Sequence, residues 1–167
     1  MNAEDPLLRQ ADTLVQTAHL RAIMLDTTQL KKFSLMREVD LKHWIVIVTI
    51  AGVFIAVIQL QNLGLDKNRQ RELLGKVGAK LIQWDPTNGR RCFEDCTSFY
   101  EKAFNARKSG GYDPRFVASD PLGLWVVLNV LGRRADSKEE LRFARVVGGM
   151  IYHPFSTWWS ANTKSRN

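Results

Sequence analysis

The 167-residue sequence predicts an all-α protein: a single transmembrane helix, an amphipathic helical segment before it, and a small four-helix domain after it. Three observations carry that expectation. Residues 43–65 contain no formal charge (counting His as neutral), so the apolar residues are concentrated rather than spread. Outside that run, apolar residues recur at spacings of three and four, the period of a helix with one buried face. Asp-Pro, Gly and Ser-x-x-Glu signals punctuate the pattern at helix-like intervals. The expected division is 1–42, an amphipathic N-terminal segment; 43–65, the transmembrane helix; and 66–167, a basic α-helical domain with an aromatic tail.

The N-terminal segment opens on Asp5-Pro6, a helix start with Asp5 as N-cap and Pro6 in the first turn. Leu8, Ala11, Val15, Ala18, Ala22 and Leu25 then form one stripe, whose small alanines suit close approach of another helix. A turn at Asp26-Thr27-Thr28 precedes a second stretch, Leu30 to Leu41, expected to continue as a helix into the apolar run.

That run reads HWIVIVTIAGVFIAVIQLQNLGL. Trp44 to Leu60 covers about 25 Å as a helix and residues 43–65 about 35 Å, which bracket a bilayer core of about 30 Å. Its Ile, Val, Phe and Leu side chains sum to roughly −3 to −7 kcal/mol on an insertion scale, enough to outweigh Thr49, Gly52 and Gln59. Trp44 is expected at the membrane interface with His43 beside it. Thr49, Gly52 and Ala56 form a small-residue surface expected to pack against another membrane helix. The chain is accordingly expected to be a single-pass protein of a bacterial inner membrane. Four basic residues lie in the fifteen before the run and five in the fifteen after, and 18 basic against 11 acidic residues follow it. This bias favours a cytoplasmic C-terminal domain.

In that domain, Asp66 to Trp84 is a helix with Leu73, Leu74, Val77, Leu81 and Trp84 on its apolar face, weakened by Gly75 and Gly78. Asp85 to Gly89 is a turn. Arg90 to Lys108 is a second helix with Phe93, Cys96, Phe99, Tyr100, Ala103 and Phe104 along one side. Asp120-Pro121 starts a third, apolar nearly all round, which Gly132 closes. Ser137 and Glu140 make a capping box for a fourth, with Leu141, Ala144, Val147, Gly148 and Ile151 inward and its end at His153-Pro154.

No catalytic, metal-binding or cofactor-binding set emerges. Two cysteines exclude a disulfide framework, and no histidine lies near enough in sequence to complete a zinc site with Cys92 and Cys96. His19, His43 and His153 fall on three separate segments. No P-loop, G-x-S-x-G or H-E-x-x-H pattern occurs. The chain is therefore expected to be a non-enzymatic accessory, scaffolding or assembly subunit of a membrane complex, self-associating or docking on other subunits. Its contacts would be the span, the N-terminal stripe, and Trp158 and Trp159. The net charge of +7 supports an alternative, a tethered module whose basic residues meet anionic lipid. Lys67, Arg69 and Arg71 form one such group and Lys138, Arg142 and Arg145 another. Nucleic acid shares that electrostatic footprint, but no recognition motif accompanies it.

Overall fold

The structure is a computed structural model that describes residues 5–61, 66–109 and 119–164, and the side chains within them except at 60–61, 104, 107–109 and 158–164. Among the described residues there are six α-helices, two short 3-10 helices and no strand. The helices are α1 (Pro6–Met24), α2 (Leu41–Gln61), α3 (Lys67–Trp84), α4 (Gly89–Ser109), α5 (Asp120–Leu131) and α6 (Lys138–Lys164).

Short polar side chains set the helix starts by accepting hydrogen bonds from backbone N–H groups that have no intrahelical partner. Asp5 accepts from Leu7 N at 3.0 Å, and Asp66 from Asn68 N and Arg69 N. In the turn between α3 and α4, Asp85 Oδ1 accepts from Thr87 N and Asn88 N, both at 3.0 Å. The expected capping box is present. Glu140 N donates to Ser137 Oγ and Ser137 N donates to Glu140 Oε2, each at 3.1 Å. Gly132, with φ 71°, ends α5 in the left-handed region that a side chain would disfavour.

Helix α2 is the axis of the structure. Helices α1, α4, α5 and α6 all pack on it, and α3 packs on α1 and α4. Ile47 to Val57 are eleven consecutive buried residues, three turns enclosed on every side. Length and hydropathy make Leu41–Gln59 sufficient to cross a membrane, and 67% of that stretch is buried within the chain. α6 runs parallel to α2: Phe143 stacks edge-on with Phe33 just before α2, and Gln59 near its other end donates to Ser156 at 3.1 Å. α5 and α6 form an antiparallel pair in which Gly123 and Gly148 let the backbones meet. A Cβ on Gly123 would lie 1.9 Å from the Ala144 carbonyl oxygen.

Several expectations are corrected. The Leu30–Leu41 stretch is not a helix continuous with α2. It folds as two 3-10 helices, Thr28–Lys32 and Ser34–Glu38, whose Leu30, Phe33 and Leu35 are buried. Trp44 does not lie at an interface but inside the chain, 2% exposed, its indole N–H without a partner among the described residues. His43 reaches the Asn129 carbonyl oxygen at 3.0 Å and donates to it. Leu141 is exposed, and Phe143 takes the inward position instead. α6 does not stop at Pro154. The ring removes one backbone hydrogen bond on the exposed side of the helix, while Phe155 beside it is buried and anchors the continuation. Residues from all three expected segments, from Ala11 through Phe155, meet in one hydrophobic core.

Candidate functional site: an apolar cavity between α2, α3 and α4

Helix α3 is held at its flanks. Lys76 pairs with Asp5, Lys80 with Asp12 at 3.2 Å, and Trp84 stacks edge-on against His19 at 5.4 Å. At its other flank, Gly89 lies against the Leu81 carbonyl, where a Cβ would come within 2.2 Å. Leu73, Val77 and Leu81 fill the space this creates. The adjoining face of α3 carries Leu74, Gly75 and Gly78, and among the described residues the two glycines have no neighbour within 4 Å of where a Cβ would stand. Gly75 and Gly78 send no side chain toward α2, and a cavity of about 950 Å³ remains among the described residues. Ligand pockets commonly span about 300–1,000 Å³, which puts this one at the upper end.

Phe54, Val57 and Ile58 of α2, Leu74 of α3 and Phe93 of α4 make the apolar part of the wall. The polar part comes from one helix. Arg90, Glu94, Thr97, Ser98, Glu101 and Asn105 of α4 recur at helical spacing, so they run along about 22 Å of one edge. Arg90 Nε donates to Glu94 Oε1 at 2.8 Å, an exposed pair that contributes little to stability. Glu101 adds one further negative charge, so this wall is slightly acidic in a chain of net charge +7.

A second uncovered apolar feature lies on α1. Leu20, Ile23 and Met24 are 59%, 54% and 77% exposed and occupy positions i, i+3 and i+4, one ridge on the helix. Ala11, Leu14, Val15, Ala18 and Ala22 are buried on the opposite side.

The residues singled out from sequence fall differently from expectation. Gly52 does admit another helix at close range, but that helix belongs to the same chain. The Phe155 ring of α6 covers Gly52, 2.3 Å from an added Cβ. Thr49 is fully buried and donates to Ile45 O at 2.7 Å, so His19 Nδ1–H donates to its Oγ1 at 3.3 Å. Ala56 is buried too. The α1 stripe is likewise consumed internally: Ala11, Val15, Ala18 and Ala22 are buried, Leu8 and Leu25 half-buried. These residues pack against the chain's own helices in the described structure. Trp158 and Trp159 lie outside the described side chains.

The basic residues make no single face. Leu74 and Gly75 share the cavity with Val57 and Ile58, which puts Lys67, Arg69 and Arg71, on the preceding turns of α3, toward the C-terminal end of α2. Lys138 and Arg142 are at the other end, where Glu139 accepts from Ser34 at 2.9 Å. Arg145 holds Asp120 in a two-pronged ion pair, with Nε at 3.2 Å and a terminal nitrogen at 2.9 Å.

Cys92 and Cys96 are both buried thiols. Burial pushes the Cys96 thiol well above its ordinary range and raises Cys92 as well, so neither is activated as a nucleophile. Asp120 is occupied by Arg145, and His153 is exposed on α6. Among the described residues, no group of three or more His, Cys, Asp or Glu side chains is placed to hold a metal ion.

The cavity leaves little mark on the sequence. Its only trace there is Gly75 and Gly78, three apart in an otherwise strong helical pattern. Comparison with protein families, with curated proteins and with solved structures finds no match to this chain.

Proposed function

We propose that this chain is a non-enzymatic docking module: a helical bundle assembled around α2, with the cavity between α2, α3 and α4 receiving the apolar side chains of a protein partner. The observation that carries the reading is the pair Gly75 and Gly78. Each costs about 1 kcal/mol of helix stability relative to alanine, and nothing in the described packing requires either. What they do is keep the cavity open. Its polar groups also run along a whole edge of α4 rather than gathering at one end. That pattern suits the side of an amphipathic protein element better than a lipid with one polar head.

In this reading α2 is a core helix. Helices that surround it carry exposed charges, such as Glu94, Glu101 and Lys102 on α4. Each would cost about 2.5–3.5 kcal/mol at a bilayer centre. An uncharged dye such as Nile red tests the cavity directly. It should brighten with the natural chain and much less with Gly78→Leu, a variant expected to fold normally. Equal brightening in both, or none in either, would remove the reading.

A second reading keeps α2 as a single-pass span and the chain as an accessory subunit of a membrane complex, with its basic groups near anionic lipid. The length and hydropathy of Leu41–Gln59 support it. It requires α2 to exchange its intramolecular neighbours for lipid or for another protein's helices, and it is tested by membrane extraction.

A further inference from the structure

We infer that one end of the bundle docks on the surface of an anionic lipid bilayer, without α2 entering it. That end is where α1 and α5 finish and where α2 and α6 begin. Ser34 donates to Glu139 at 2.9 Å, Arg133 donates to Glu38 at 3.1 Å, and His43 donates to the Asn129 carbonyl oxygen at 3.0 Å. These contacts join the two 3-10 helices, the α5–α6 turn and the start of α2 into one surface. α1 arrives there too, since only three residues separate Met24 from Thr28 of the first 3-10 helix. The inference goes beyond the docking reading above and does not depend on the cavity.

Two kinds of side chain gather at this end. Of the six large apolar side chains left exposed among the described residues, five belong to it: Leu20, Ile23 and Met24 of α1, Leu41 of α2 and Leu141 of α6. On the same elements, Lys31, Arg37, Lys42, Arg134, Lys138 and Arg142 are exposed and make no ion pair among the described residues. Residues 21–42 and 132–142 together hold nine basic and six acidic side chains. Five of those acids are engaged locally. Glu140 caps α6, Glu38 pairs with Arg133, Glu139 accepts from Ser34, and Asp26 and Asp40 accept from the backbone N–H groups of Thr28 and Lys42. A bilayer with negative headgroups accepts both kinds of group at once. Apolar side chains enter the boundary between headgroups and acyl chains, while Lys and Arg keep their charges among the phosphates. The negative surface potential also attracts the chain's net charge of +7. Nucleic acid would use the cations but leave Met24 and the leucines in water, and an apolar protein groove would desolvate the cations.

Flotation of the full chain with lipid vesicles tests this. The natural chain should float with vesicles that contain phosphatidylglycerol, stay behind with vesicles of phosphatidylcholine alone, and be released as salt rises. Lys42→Glu with Lys138→Glu should weaken binding about tenfold or more. Both residues are exposed and stand in the first turn of a helix, where an acidic side chain is favoured. Lys67→Glu with Arg69→Glu makes the same change of charge in the first turn of α3, at the other end, and should bind nearly as the natural chain does. Met24→Ser with Leu41→Ser should weaken binding severalfold with the charge unchanged. Thermal melts should confirm that each variant folds. A natural chain that ignores phosphatidylglycerol, equal loss from charge reversal at either end, or full binding by the Met24→Ser, Leu41→Ser chain would each overturn the inference. Preference for a duplex oligonucleotide over those vesicles would overturn it in favour of nucleic acid. Binding that high salt does not release would overturn it in favour of a membrane span. The cavity is reported separately by Nile red, so the docking reading stands or falls apart from these outcomes.

Discussion

Two sides of α2 use glycine in opposite ways. On the side facing α6, Gly52 is covered so closely by Phe155 that no Cβ fits. On the side facing α3, the glycines belong to the other helix, and Gly75 and Gly78 leave open space. The first arrangement joins two helices at close range and stabilises the core through dispersion and apolar burial. The second leaves a cavity beside Phe54, Val57 and Ile58, of which Phe54 and Val57 are still buried. The difference separates residues that maintain the fold from residues free to do something else.

The largest way to break the comparison is Phe155→Ala. Removing a buried ring from over Gly52 should cost about 3–5 kcal/mol, read by chemical denaturation. Gly52→Ala follows, at about 1–3 kcal/mol, because the ring must move to admit a methyl group. Gly78→Ala should have the opposite sign, stabilising the chain by up to about 1 kcal/mol through helix propensity alone. If Gly78→Ala destabilised the chain as Gly52→Ala does, the two sides would not differ as described.

The smallest effect concerns the start of α6, which carries Phe155. Hydrogen bonds from Asp136 N and Ser137 N hold the Glu140 carboxyl down to about 2 from an ordinary 4.5. A carboxyl lowered in the folded state contributes stability that is complete above its unfolded value and is lost as pH falls through the folded one. Its contribution should therefore fade between about pH 4.5 and about pH 2. In Glu140→Gln that part of the acid-side decline should flatten, measured as melting temperature against pH.

Local signals in the sequence were faithful because they depend only on neighbouring residues. Asp5-Pro6, Asp66, Asp85, Gly132 and the Ser137–Glu140 box all act where sequence placed them. What the sequence could not specify was the identity of each apolar partner. An α2 surrounded by lipid and an α2 surrounded by its own chain need the same side chains, since both environments reward apolar surface. The small residue Gly52 announced close helix contact without saying that α6 of the same chain would supply it. Pro154 misled for a related reason: its local preference to end a helix is outweighed by Phe155 and Ser156, which bind to α2 from the far side of it. The cavity depended on something less legible still, the absence of side chains at Gly75 and Gly78 after α3 had been fixed by Asp5, Asp12 and His19 of α1.

The central claim is that α2 is enclosed by the chain's own helices. Alkaline washing of membranes from expressing cells, followed by flotation through a density gradient, tests it most directly. A core helix predicts that the washed chain stays out of the floating vesicles and is recovered, folded, without detergent. A chain that floats with the vesicles after the alkaline wash would contradict the claim and restore α2 as a membrane span.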